Sequence, residues 1–174
     1  MGRRAEFAAL IVLLACAECG LGQKVSPDGQ KASFTMSISL KESTVKPGSE
    51  VQVAVELTNT STERIWLWRS RSGPPPYTIK LLDREGKGAA VTAKGRAFQK
   101  GEAIIRENGR VVRAFPGGGE QVSAAPGETV KDWVSVDDQF DLTQPGIYTI
   151  QLERVDLITK LLVKSNALTF TVAD

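Results

Sequence analysis

Apolar and polar residues alternate along much of this chain. Phe34, Met36, Ile38 and Leu40 are interleaved with Ser33, Thr35, Ser37 and Ser39. Val51, Val53, Val55 and Leu57 are interleaved in the same way with Gln52, Ala54, Glu56 and Thr58. A period of two marks a strand with one buried face. Between the runs, Lys46-Pro47-Gly48-Ser49 puts Pro and Gly where a β-turn favours them, so the two runs predict a strand–turn–strand unit. The clearest alternation comes later. Tyr148, Ile150 and Leu152 fall on one side, and Thr149, Gln151 and Glu153 on the other. Pro145 lacks an amide hydrogen and suits the position before a strand, and Gly146 allows a tight bend. A Tyr directly after that bend predicts a corner in which the Tyr148 hydroxyl bonds to backbone a few residues upstream.

The remaining pattern predicts further short strands. Residues 65–68 (IWLW) and 77–83 form two, with a stiff proline run at 69–76 (RSRSGPPP) that predicts no regular structure. Residues 88–102 are weakly patterned and read as loop. Asn108-Gly109 between β-branched residues predicts a hairpin with a type I′ turn over 104–112. Residues 116–119 (PGGG) read as a flexible loop; no Lys-Ser or Lys-Thr follows, so this is not a phosphate cradle. Residues 128–136 and 161–172 supply the last strands. No amphipathic stripe of three helical turns occurs after the amino-terminal segment. Seven to nine short strands with frequent turns predict an all-β sandwich.

The first 22 residues read as a signal peptide. Arg3 and Arg4 precede a short apolar run at 7–14, too short to span a bilayer, and small residues follow. Cleavage after Gly22 is preferred to a site after Ala17; a lipoprotein reading with a lipid anchor at Cys16 is the minor alternative. Residues 23–32 then form a flexible leader, and 33–174 one sandwich domain with an irregular insertion at 69–119. Both cysteines, Cys16 and Cys19, lie in the signal segment. The exported chain of about 150 residues would fold without disulfides and rely on its core. The expected location is secreted or periplasmic, in a bacterial cell envelope, with no transmembrane helix.

Charge removes one class of partner. The net charge is +2, so no bulk charge argument points to nucleic acid. The distribution is uneven: 64–100 carries nine bases against Asp83 and Glu85, and 120–156 carries eight acids against Lys131 and Arg154. The preferred reading is solvated strand faces and loops, in which neighbouring strands can pair the two sets; a basic patch for anionic partners is the alternative.

The chain has no histidine. That removes the commonest general base and zinc ligand, and with them the Ser-His-Asp and Cys-His arrangements. No catalytic residue, cofactor or metal is expected. Asp137, Asp138 and Asp141 are the densest acids, but their spacing does not match an EF-hand loop, and a turn-capping role is preferred to calcium. Asn59-Thr60-Ser61 matches a glycosylation sequon; a role in capping the loop after the strand is better supported. The candidate ligand contacts are Arg64, Trp66, Trp68, Arg69, Arg71 and Tyr77. If Trp66 and Trp68 face outward beside the arginines, they make a stacking platform. The alternative, that they pack in the core with Ile65 and Leu67 outward, is preferred.

The stretches VKPGSEVQVAVELTNTS (45–61) and VDDQFDLTQPGIYTIQLER (136–154) resemble secreted bacterial immunoglobulin-like domains. The second is similar to the late corner and strand of the amino-terminal sandwich in deuterolysin-type proteases and of the bacterial proteinase-inhibitor sandwiches. The resemblance covers under a third of the exported chain, and the protease half of a deuterolysin is absent. It implies an antiparallel immunoglobulin-like β-sandwich, with Pro145, Gly146 and Tyr148 as its structural corner. The function it fits is a non-catalytic binding or structural module for an unknown protein or glycan of the envelope. A protease inhibitor acting through a loop such as 69–77 is one alternative, and a carbohydrate-binding module using Trp and Arg is another.

Overall fold

The computed structural model describes residues 29–72, 74–102, 104–114 and 118–174. The expected signal peptide, Cys16 and Cys19 lie outside the described residues. Twelve strands and one short helix are present among those described. The strands are β1 (Phe34–Leu40), β2 (Thr44–Val45), β3 (Gln52–Asn59), β4 (Ile65–Ser72), β5 (Thr78–Asp83), β6 (Ile104–Glu107) and β7 (Arg110–Ala114), then β8 (Gly118–Ala124), β9 (Thr129–Ser135), β10 (Gly146–Val155), β11 (Leu162–Lys164) and β12 (Leu168–Val172). The helix, α1, is Ala93–Gln99. No helix of the described residues is long and apolar enough to cross a membrane.

The protein is an all-β sandwich. One sheet has the order β1-β3-β9, and all its pairs are antiparallel. The second is built on β10, which pairs with β5 along one side and with β12 and then β11 along the other. The alternation expected from sequence decides the faces. Phe34, Met36, Val53, Val55, Leu57, Val130 and Val134 of the first sheet are buried against Ile79, Leu81, Ile150, Leu152, Phe170 and Val172 of the second. Burial of this apolar area is the main stabilising term in a chain whose described residues contain no cysteine.

The strand–turn–strand unit forms, with the Ser49 amide donating to the Lys46 carbonyl at 3.1 Å. Between its strands, β2 leaves the first sheet and lies parallel to β12 in the second. The only side of β1 not paired with β3 meets Asn166. Its side-chain amide accepts from the Ile38 N–H at 2.8 Å and donates to the Ile38 carbonyl at 3.1 Å. Alongside β5, the turn at 83–89 folds back, so that the Ala89 N–H donates to Leu81 O and the Asp83 N–H to Lys87 O.

Three local expectations differ from the structure. Residues 69–72 continue β4, paired with β8 through an irregular register between Ser70 and Ser72. The proline-rich stretch is therefore regular up to Ser72. Residues 118 and 119 open β8 and are strand, because β4 supplies the partner that a glycine run cannot announce. Within the region read as loop, α1 forms. Thr92 caps it, accepting from the Gly95 N–H at 2.9 Å. Gly95 faces the Gln139 backbone so closely that a Cβ there would overlap it, which seats the helix on the 136–140 turn. The predicted hairpin is β6–β7, and Asn108 and Gly109 have the positive φ values of 50° and 78° that a type I′ turn requires.

At the corner, the Tyr148 hydroxyl donates to the Gln144 carbonyl at 3.0 Å, and its ring stacks on Phe170 with centroids 5.7 Å apart. Tyr148→Phe keeps the stacking and removes one hydrogen bond. It is expected to cost about 1 kcal/mol, read as a fall in Tm of about 2–4 °C by calorimetry. An unchanged melting temperature contradicts the corner's role.

Candidate functional site

Strand β4 has apolar residues on both of its faces, and the structure resolves which is inside. Ile65 and Leu67 are buried in the core, while Trp66 and Trp68 are 59% and 49% exposed. This reverses the expected core placement of the tryptophans. The smaller side chains fit the narrow space under the β4–β8 ribbon, opposite Ala124 and Val122. Arg64 shares the outer face with the tryptophans and donates to the Ser123 hydroxyl at 3.0 Å. Trp68 lies across Gly119 of β8. A Cβ at Gly119 would enter the Trp68 ring and come within 2.6 Å of the Arg69 carbonyl. Gly119→Ala is therefore expected to displace the Trp68 ring, shift tryptophan emission and cost about 1–3 kcal/mol. Emission identical to that of the parent protein argues against this seating.

Beside Trp68 opens a cleft of about 690 Å³. Trp68, Pro75, Pro76, Phe98, Leu157 and Leu162 form much of its wall. Tyr77 and Arg154 lie in it at the end of the second sheet. Both carry the parity of buried neighbours: Ile79 and Leu81 follow Tyr77 on β5, and Tyr148, Ile150 and Leu152 precede Arg154 on β10. Tyr77 is 5% exposed, and its hydroxyl donates to Asp132 of β9 at 2.7 Å, joining the two sheets. Burial, and then the Asp132 carboxylate, push the phenol pKa well up, so Tyr77 stays protonated and remains a donor.

Arg154 is 8% exposed. Its guanidinium sits between the Phe34 and Tyr77 rings, 5.8 and 5.3 Å from their centroids. It donates to the Trp68 carbonyl at 3.0 Å and, in a long contact of 3.4 Å, to the Tyr77 oxygen. Its neighbour Glu153 points to the other face of β10, where Lys80 and Lys164 hold it at 2.8 and 2.7 Å. Burial raises the pKa of the Glu153 carboxyl, and the two ammonium groups more than offset that, leaving it below its ordinary value.

The β10–β11 turn completes the rim. Asp156 is buried and accepts hydrogen bonds from the Ser33 and Ile158 N–H groups and the Thr159 hydroxyl at 2.6, 2.9 and 2.7 Å. This holds Leu157 and Ile158 outward, 72% and 62% exposed, beside Trp66 and Trp68.

The sequence candidates divide accordingly. Arg64, Trp66 and Trp68 form one outer face, and Trp68 and Tyr77 also border the cleft. Arg69 turns away to an ion pair with Glu120 and a hydrogen bond to the Lys131 carbonyl at 2.7 Å. Arg71 belongs to β4, but its side chain lies outside the described set. Pro145, Gly146 and Tyr148 shape the corner. The basic and acidic segments do meet, through Arg69–Glu120, Lys80–Glu153 and Lys94–Asp138 pairs. Asp137, Asp138 and Asp141 do not converge: they engage the Val51 N–H, Lys94 and Thr143 respectively. Asn59 is buried and bonded on all sides, a structural residue.

Arg154, Asp132, Leu157 and Leu162 are absent from the sequence candidates. Two signals point to Arg154 and Leu157, and none to Asp132 or Leu162. Arg154 continues the inward parity of Tyr148, Ile150 and Leu152, and Leu157-Ile158 is an apolar pair in a turn, where polar residues are usual.

No protein-family model matches the chain, and no curated protein matches its sequence. Among solved structures, the chain is similar to a β-glucosidase, EmGH1, from Erythrobacter marinus: TM-score 0.40, 15% identity, covering 83% of this chain and 16% of that one. A β-glucosidase mutant from Listeria innocua, in complex with laminaribiose, gives 0.41 and 16%, covering 84% and 17%. Spo0M, a sporulation control protein from Bacillus subtilis, gives 0.42 and 10%, covering 82% and 50%. The chain thus spans under a fifth of the glucosidases and half of Spo0M, and similarity this low carries no argument about activity.

Proposed function

We propose that this chain is a non-catalytic, extracytoplasmic, immunoglobulin-like binding module. The observation that carries the reading is the exposure of Trp66, Trp68, Leu157 and Ile158 as one patch next to the cleft, which Trp68 and Leu157 also border. Soluble proteins rarely leave contiguous apolar surface uncovered without a partner for it. Aromatic side chains give large contact area at low entropy cost, which favours them at binding surfaces. The signal-like residues 3–14 support export, and the Tyr148–Gln144 corner supports the immunoglobulin-like assignment. The non-catalytic reading is supported by the chain's lack of histidine. It is also supported by Glu153, whose carboxylate is held ionised between two lysines and so is poorly suited to general acid work.

A glycan is a second ligand class, favoured by Arg64 lying beside the two tryptophans on one face. Inhibition of a protease is less well supported, since residues 69–72 belong to β4 and Tyr77 is buried. The test is affinity retention of cell-envelope proteins and of soluble glycans on the immobilised chain and on a Trp66→Ala/Trp68→Ala variant. Retention by the parent and its loss from the variant are expected. Equal retention by both, or none by the parent, overturns the reading.

A further inference from the structure

We infer that the cleft beside Trp68 takes an apolar carboxylate, with the acid group on Arg154 and the apolar body along Trp68, Pro75, Leu157 and Leu162. The inference rests on the binding-module reading and names a ligand class for its cleft. The central observation is a buried charge with no direct ion pair, its nearest carboxylate, Asp132, lying one hydroxyl away beyond Tyr77. A guanidinium carries five N–H donors. Arg154 is more than nine-tenths buried, yet it has one good acceptor, the Trp68 carbonyl, and one long contact with the Tyr77 oxygen. Among the described residues it makes no ion pair. A buried charge is costly unless it is paired.

The groups around it do not supply that pair. Asp132 is the nearest acid in the hydrogen-bonded network, and it is engaged by the Tyr77 hydroxyl and by the Trp133 N–H at 2.9 Å. Glu153 lines the cleft, but it faces Lys80 and Lys164. The cleft therefore combines the Arg154 guanidinium with an apolar wall. A volume of about 690 Å³ suits a small organic ligand, since such sites usually span roughly 300–1,000 Å³. A planar carboxylate matches the guanidinium fork, and in a site shielded by aromatic rings the charge-assisted hydrogen bonds are strong.

The test uses the folded chain with decanoate, decanol and decyltrimethylammonium, read by titration calorimetry and tryptophan fluorescence. Decanoate is expected to bind about tenfold or more tightly than decanol, and the cation not to bind. Arg154→Lys keeps a charge but loses the fork, and should weaken decanoate by about tenfold. Leu157→Glu alters an exposed rim residue without touching the core, so it reports even if Arg154 variants fail to fold; it should weaken decanoate by a similar factor. Decanol binding as well as decanoate removes the carboxylate assignment and leaves a binding cleft standing. Decanoate affinity that neither variant changes places the acid elsewhere and overturns the inference. If none of the three compounds binds while Trp66- and Trp68-dependent retention persists, the inference alone fails; if that retention is absent too, both readings fail.

Discussion

Asp156→Ala is expected to lower stability by about 3 kcal/mol, which is a fall in Tm of roughly 6–12 °C for a domain of this size. The carboxylate gathers three N–H groups and a hydroxyl from segments far apart in sequence: Ser33 at the start of the sandwich, and Ile158 and Thr159 in the β10–β11 turn. Alanine leaves the Ser33 N–H buried with its acceptor gone, and releases the turn that presents Leu157 and Ile158. The same residue links stability to pH. Burial pushes the Asp156 pKa up, but the Ser33 N–H, the Thr159 hydroxyl and the Ile158 N–H more than offset it, so the folded value lies below the ordinary one. Its contribution is therefore complete above about pH 4 and is lost as pH falls through the depressed folded value. Glu153 is shifted in the same direction and adds to the acid loss. Thermal melts from pH 7 to pH 3 should show a steeper decline for the parent than for Asp156→Asn. Parallel declines contradict the assignment to Asp156.

Asn59→Ala is expected to cost a comparable amount, about 3 kcal/mol. Its side-chain amide donates to the Glu63 and Ala124 carbonyls at 2.8 and 2.9 Å, and its oxygen accepts from the Ser61 N–H and hydroxyl at 2.9 and 2.8 Å. These bonds tie the end of β3 to the end of β8 and fix the loop that leads into β4. Asn59→Asp is nearly isosteric but replaces both donors with oxygen, setting a carboxylate against two carbonyls, so it should be at least as damaging. Urea unfolding should give a lower midpoint with an unchanged slope for the alanine variant. A midpoint within error of the parent's shows that the amide is dispensable. The buried amide also leaves no free Nδ2 for a glycan in the folded protein.

Much of the fold was legible because alternation and burial coincide. β1, β3, β10 and β12 read directly from their period of two, and the Pro145-Gly146 bend located the corner. Alternation has no sign where both faces are apolar, as in Ile65-Trp66-Leu67-Trp68, and there only packing under β8 decides which pair is inside. Glycine contributes no pattern, so the start of β8 was hidden in a glycine run. α1 is under two turns long and depends on its seat against Gln139, a tertiary contact that no local propensity encodes. The site was less legible than the fold. Trp66, Trp68 and Tyr77 are apparent from composition. Arg154 is disguised as one more polar strand residue, and its environment comes from β4, β5 and β9, which are distant in sequence.

The side-chain and turn contacts along the two main sheets have a consequence for self-association. An unpaired strand edge is a template for another chain. Here, among the described residues, the β1, β5 and β9 edges are interrupted and β12 is covered by β2. Asn166 occupies the backbone of Ile38 on β1, and the Ser43 and Val45 carbonyls of the β2 segment take N–H groups of Thr171 and Ala173 beside β12. The 83–89 turn blocks β5. On β9, Arg69 takes the Lys131 carbonyl and Asp132 takes the Trp133 N–H. Strand addition, the route to domain-swapped and amyloid-like assemblies, is obstructed along β1, β5 and β9, even though the molecule carries a tryptophan-rich face. Contact between this protein and its surroundings is thereby directed to side chains, which discriminate among partners, and away from backbone, which does not.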